Sequence, residues 1–170
     1  MPAEVAGTFR RLAAALYDGM LLLGVLMAVT ALLEVLTHGE AITRATVGLL
    51  EYAYCALLLA CIAAYFGSAW TRRGQTLGMK AWSIRLETEA GALPGIGRSL
   101  ARLAIAGPLY LLAITAVLLM MMHRAGVPVV LACLAPLVLS YGWLLARRGA
   151  TLHDRWSGTR VRRVPSTGPA

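Results

Sequence analysis

The chain has 170 residues, 59% of them hydrophobic and 14% charged, with a mean hydropathy of +0.70. Soluble domains average about 45–50% apolar and about 25% charged, so this composition cannot cover a soluble surface, and it is far too apolar to stay disordered. The formal net charge of +8, from 16 Lys+Arg against 8 Asp+Glu, would point to nucleic acid in a soluble protein, but in a membrane protein it points first to topology and anionic lipid headgroups.

Four apolar runs reach the ~20 residues that a bilayer crossing needs. They extend from about Leu12 to Leu36, Val47 to Trp70, Leu103 to Met122 and Val127 to Ala146. The first follows Arg10 and Arg11 as a signal peptide would, but its core is far longer than the roughly 7–15 residues of a signal and contains Asp18, so it reads as a retained span. Between the second and third runs lies a polar stretch, 71–102, with a Pro94-Gly95-Ile96-Gly97 breaker. Runs three and four are separated only by His123–Gly126 and form a helical hairpin. Pro128 suits the first turn of the fourth helix, whereas Pro108 and Pro136 are expected to kink theirs. The stretch 147–170 is a tail, ending loosely from Pro165. The expectation is an all-α, four-span protein with residues 1–170 in one transmembrane domain.

Orientation follows from the basic residues. Fourteen of the sixteen lie ahead of span one, between spans two and three, or after span four; only Arg44 and Arg124 lie on the other side. The positive-inside rule then places both termini and the 71–102 loop in the cytoplasm, and a bacterial inner membrane is the expected location. The +8 is accounted for without nucleic acid.

Two segments repeat. Arg72-Arg73-Gly74-Gln75-Thr76-Leu77 and Arg147-Arg148-Gly149-Ala150-Thr151-Leu152 differ at one position, and Lys80 faces Arg155, at a constant offset of 75. Each follows a pair of spans that begins behind basic residues. A tandem duplication of a two-span unit, the repeats parallel about an axis along the membrane normal, is the simplest account.

Three blocks resemble the RDD family of membrane proteins, named for one arginine and two aspartates. They are Arg10-Arg11-Leu12-Ala13-Ala14-Ala15-Leu16-Tyr17-Asp18, Gly74-Gln75-Thr76-Leu77-Gly78-Met79-Lys80, and Thr151-Leu152-His153-Asp154-Arg155-Trp156-Ser157-Gly158-Thr159. Carried over position by position, Arg11, Asp18 and Asp154 are the three residues of the name; Tyr17 departs from the family's usual aliphatic residue. The resemblance implies an integral membrane protein with a proposed transport role. Sodium/proton antiport has been attributed to some members, and a eukaryotic branch resembles an assembly factor of endoplasmic-reticulum degradation complexes.

Asp18 is the main candidate for chemistry. At 1.5 Å rise per residue it lies about 9 Å inside a span that starts at Leu12, where an unpaired acid costs about 2.5–3.5 kcal/mol. Arg11 is two turns away, about 10 Å along the axis, so a partner from the basic blocks (Arg72, Arg98, Arg102 or Arg155) is expected. Two readings stand: a proton- or cation-binding carboxylate, or an ion pair clamping the first helix to the basic turns. Asp154 has capping-box spacing behind Thr151, so it too is either a cap or an ion-handling group. Glu34 and Glu51 sit near the outer span ends, as solvated ends or as outer acidic stations. His38, His123 and His153 have no ligand spacing, and no metal or cofactor is implied. Cys55, Cys61 and Cys133 read as small buried residues. Ala56, Ala60, Ala64 and Ser68 form a small-residue stripe, for internal packing or a seam between copies in a homo-oligomer. No phosphate loop, nucleophile elbow or catalytic triad assembles, and the chain reads as non-enzymatic. The expected function is transport of a small ion or solute, coupling monovalent cations and protons through Asp18. The alternative is a scaffold or assembly subunit docking a partner or anionic lipid.

Overall fold

The computed structural model describes residues 5–37, 49–123, 126–147 and 151–164. The chain is mostly helical. Long helices α1 (Thr8–Leu36), α2 (Leu49–Arg73), α4 (Ile96–Met121) and α5 (Val127–Arg147) alternate with two short units. One is α3 (Leu77–Ala81) followed by β1 (Ile84–Thr88); the other is α6 (Leu152–Trp156) followed by β2 (Thr159–Arg163). Three helices are long and apolar enough to cross a membrane: Thr8–Leu36, the Tyr52–Arg73 part of α2, and Ile96–Met121. In α5 the described apolar stretch is Val127–Trp143, at the short end of the spanning range. Pro128 is its second residue, and α4 and α5 run on through Pro108 and Pro136.

The polar stretch is not a plain loop, and the chain is not purely helical. Strands β1 and β2 pair antiparallel, Ile84 with Arg163 through Thr88 with Thr159, and Leu86 faces Val161 at the centre. Alternation explains the register: Ile84, Leu86 and Thr88 are buried on β1, Thr159 and Val161 on β2, with charged residues between them. On its other edge β2 meets Val5 in an isolated bridge, and the Ala6 amide donates to the Val161 carbonyl at 3.2 Å. Helix α4 begins at Ile96, not near Leu103, and so takes Arg98 and Arg102 into its first turns.

The two short units share a design. Each helix is N-capped by a threonine whose hydroxyl accepts from the third helical amide, Thr76 from Met79 and Thr151 from Asp154. Each ends in a residue with positive φ before the strand, Ser83 at 52° and Gly158 at 62°.

The main buried apolar cluster sits where this small platform meets the near ends of α1 and α2. Ala6, Ala14, Trp70, Met79, Ile84, Leu86 and Val161 form it, with Phe66, Trp82 and Leu103 against its edge. Helix α2 reaches α4 through Gly67, where an added Cβ would stand 3.3 Å from Ile96. The stripe of Ala56, Ala60, Ala64 and Ser68 is exposed at all four positions, so it does not pack internally. The cysteines are not buried either; Cys55 is exposed, and Cys61 and Cys133 are half-buried.

Candidate functional site

Two buried acids organise the junction between platform and spans, and α1 takes part in both. Asp154 is fully buried on α6. One carboxylate oxygen accepts from Arg11 and from the Thr151 amide (3.1 Å), which completes the capping box; the other accepts from Arg102. Both arginines have further partners. Arg11 donates through Nε to the Ala6 carbonyl (3.0 Å) and through Nη2 to the Val161 carbonyl (3.2 Å). Arg102 donates to Thr159 Oγ1 (2.9 Å) and lies 5.6 Å over the Trp70 ring. One acid thus ties α1, α4, α6 and β2 together.

Electrostatics fix the charge states here. Burial alone would push the Asp154 carboxyl up, but the Arg102 and Arg11 guanidiniums outweigh it and hold it well below the usual carboxylate range. Next to it, burial lowers His153 to about 4, aided by Arg102 and opposed by Asp154. The neutral ring meets Ser140 Oγ through Nδ1 at 3.3 Å.

Asp18 has a different environment. It is 4% exposed, and its carboxylate accepts from Tyr65 OH (2.7 Å), the Gly78 amide (2.8 Å) and Thr76 Oγ1. Among the described residues no ion pair reaches it. The fit depends on Gly78, because a Cβ there would stand 2.3 Å from the Ala14 carbonyl oxygen and 2.9 Å from the Asp18 carboxylate. Helix α3 therefore lies directly against α1.

The arginine expected beside Asp18 is thus elsewhere. Arg102 and Arg11 converge on Asp154; Arg98 and Arg155 are exposed; Arg72 lines a cavity at the end of α2. Glu34 is half-buried, and the Glu51 side chain lies outside the described residues, as do Arg44 and Arg124. Sequence reasoning missed Tyr65, Thr76 and Gly78 as the partners of Asp18. The repeat carried the signal for Thr76: if Thr151 caps a helix, the threonine 75 positions earlier caps one too, and a helix start attracts a carboxylate. Among the described residues no His/Cys/Asp/Glu group could hold a metal ion.

Comparison with known proteins gives one match. No curated protein and no solved structure matches the chain, but the family model described as the RDD family matches residues 5–158. That span takes in Arg11, Asp18, Asp154 and nearly everything between the platform's two edges, so the chain belongs to the RDD family.

Proposed function

We propose that this RDD-family protein is a four-span carrier of a small cation or proton, with Asp18 as its binding carboxylate. One observation carries the reading: Asp18 is a buried acid with no cationic side chain on it, held by two hydroxyls and one amide. Asp154 is by contrast locked between two guanidiniums and the Thr151 amide. The oxygens around Asp18 are of another kind. Tyr65 and Thr76 hydroxyls can rotate to accept as well as donate, so they can follow a carboxylate that gains and loses a proton or a monovalent cation. An intramembrane acid without an ion-pair partner is by default a functional group.

The wider assignment rests on the same chain. Helix α5 serves as the fourth span, closing an up-down order in which the basic platform faces the cytoplasm of a bacterial inner membrane. The two halves are parallel repeats. The threonine caps, the positive-φ residues and the strands all recur 75 positions apart, and the central pair Leu86–Val161 keeps that spacing. The protein performs no covalent chemistry.

The test is Asp18→Asn beside the unmodified protein, with cation and proton flux measured in liposomes and thermal stability measured in detergent. Asparagine keeps the acceptor for Tyr65 and Gly78, so the variant should melt close to the parent and lose flux. Parental protein that passes neither cations nor protons would defeat the proposal. In that event a scaffold reading takes its place, favoured by a specific feature: the Arg11–Asp154–Arg102 lock and the paired strands make a rigid platform, as a docking subunit needs.

A further inference from the structure

At the platform end of α2 lies a cavity of about 230 Å³, lined by Tyr65, Ser68, Ala69, Arg72, Arg73, Gln75 and Leu77. Its charge is one-sided, for two arginines and no carboxylate line it. Arg72 and Arg73 are exposed, and among the described residues neither side chain makes an ion pair or a hydrogen bond. Gln75 uses one amide N–H on the Ile84 carbonyl (2.8 Å), which leaves its other N–H available. Tyr65 closes the inner wall, with its hydroxyl committed to Asp18. A guanidinium is planar and forked and matches the oxygens of a phosphate group in pairs. The size is selective as well: pockets for drug-sized ligands run to about 300–1,000 Å³, so this one suits a headgroup rather than a nucleotide. Its depth fits too, because it opens where the apolar run of α2 gives way to Arg72 and Arg73, beside an aromatic layer of Tyr65, Phe66 and Trp70. Aromatic residues mark the headgroup level of a bilayer.

The geometry points to a binding site for a phosphate-bearing anion, with Arg72 and Arg73 as the charge partners and Gln75 and Ser68 as polar walls. The ligand is either the headgroup of an anionic phospholipid or a soluble phosphate. This site stands independently of any carrier role for Asp18.

The experiment uses the full chain, purified in detergent, with two probes. Retention of phosphatidylglycerol is counted by native mass spectrometry against phosphatidylcholine, and inorganic phosphate is titrated calorimetrically. Saturable retention of phosphatidylglycerol with no heat from phosphate identifies a lipid site; heat from phosphate that displaces the lipid identifies a soluble ligand. The double variant Arg72→Gln/Arg73→Gln should bind about 10- to 100-fold more weakly. The charge-matched pair Lys80→Gln/Arg155→Gln, two exposed cations away from the cavity, should change affinity by less than about 5-fold. Ser68→Trp keeps every charge but fills the cavity, and should also abolish binding. Equal losses in the two charge-matched doubles would reduce the effect to diffuse attraction and overturn the site. So would failure of both probes to bind the parent, or unaltered binding by Ser68→Trp.

Discussion

Asp154 and Asp18 differ by what surrounds them, and that difference can be measured. Removing the Asp154 charge in Asp154→Asn leaves Arg11 and Arg102, both under a tenth exposed, facing each other without an anion. Breaking a buried pair in this way costs about 3–5 kcal/mol, so the variant should lose most of its thermal stability in detergent; an unchanged melting temperature would mean that the arginines find water instead. His153 makes the platform sensitive to mild acid. Its ring takes a proton near 6.5 when unfolded but only near 4 when folded, so the unfolded state binds more protons between those values. Stability should be constant above about pH 6.5 and should fall by of order 3 kcal/mol as pH drops to 4, and His153→Gln should flatten that decline. Asp154, held below the ordinary carboxylate range when folded, adds a further loss as pH falls through that range and below it. At this scale the capping box was legible, because Thr151 and Asp154 are close in sequence. The choice of arginine was not: sixteen cations compete, and nothing local says which two meet an acid 143 and 52 residues away.

At the scale of elements, the long helices were legible and the strands were not. Apolar length fixes α1, α2 and α4 without reference to anything else in the chain. The strands carry the alternation Ile84-Arg85-Leu86-Glu87-Thr88 and Thr159-Arg160-Val161-Arg162-Arg163. Five residues of alternation become a strand only when a partner is supplied, and each partner is 75 positions away. The contact between α3 and α1 was equally hidden, since a lone Gly78 in a polar stretch reads as a turn residue. Here the expected outcome is sharp. Gly78→Ala must push α3 off α1 and stretch the bonds that hold Asp18, at a cost of about 1–3 kcal/mol. Gly97→Ala, on α4 with nothing within 4 Å of the new methyl, should be neutral or stabilise by up to about 1 kcal/mol. Urea or thermal melts of the two variants side by side test it, and equal losses would show that α3 is not seated on α1.

For the molecule as a whole, the split of basic residues makes an experiment simple. In a background lacking Cys55, Cys61 and Cys133, Glu40→Cys and Ala125→Cys should react with a membrane-impermeant reagent added outside intact cells, and Ala90→Cys should not; the opposite pattern would invert the topology. The lock between Arg11 and Asp154 has a further consequence, which concerns time. Arg11 leaves the ribosome 143 residues ahead of its acid, and at about 5–20 residues per second that is a delay of roughly 7–30 s. Through that interval α1 is already apolar enough to enter the bilayer, while its arginine must wait in water, uncompensated. Arg102 waits too, for a shorter time. Closure of the platform must therefore wait for α6 to be made, and a nascent chain arrested before Asp154 would present two unneutralised guanidiniums, a chemical mark that the closed platform hides.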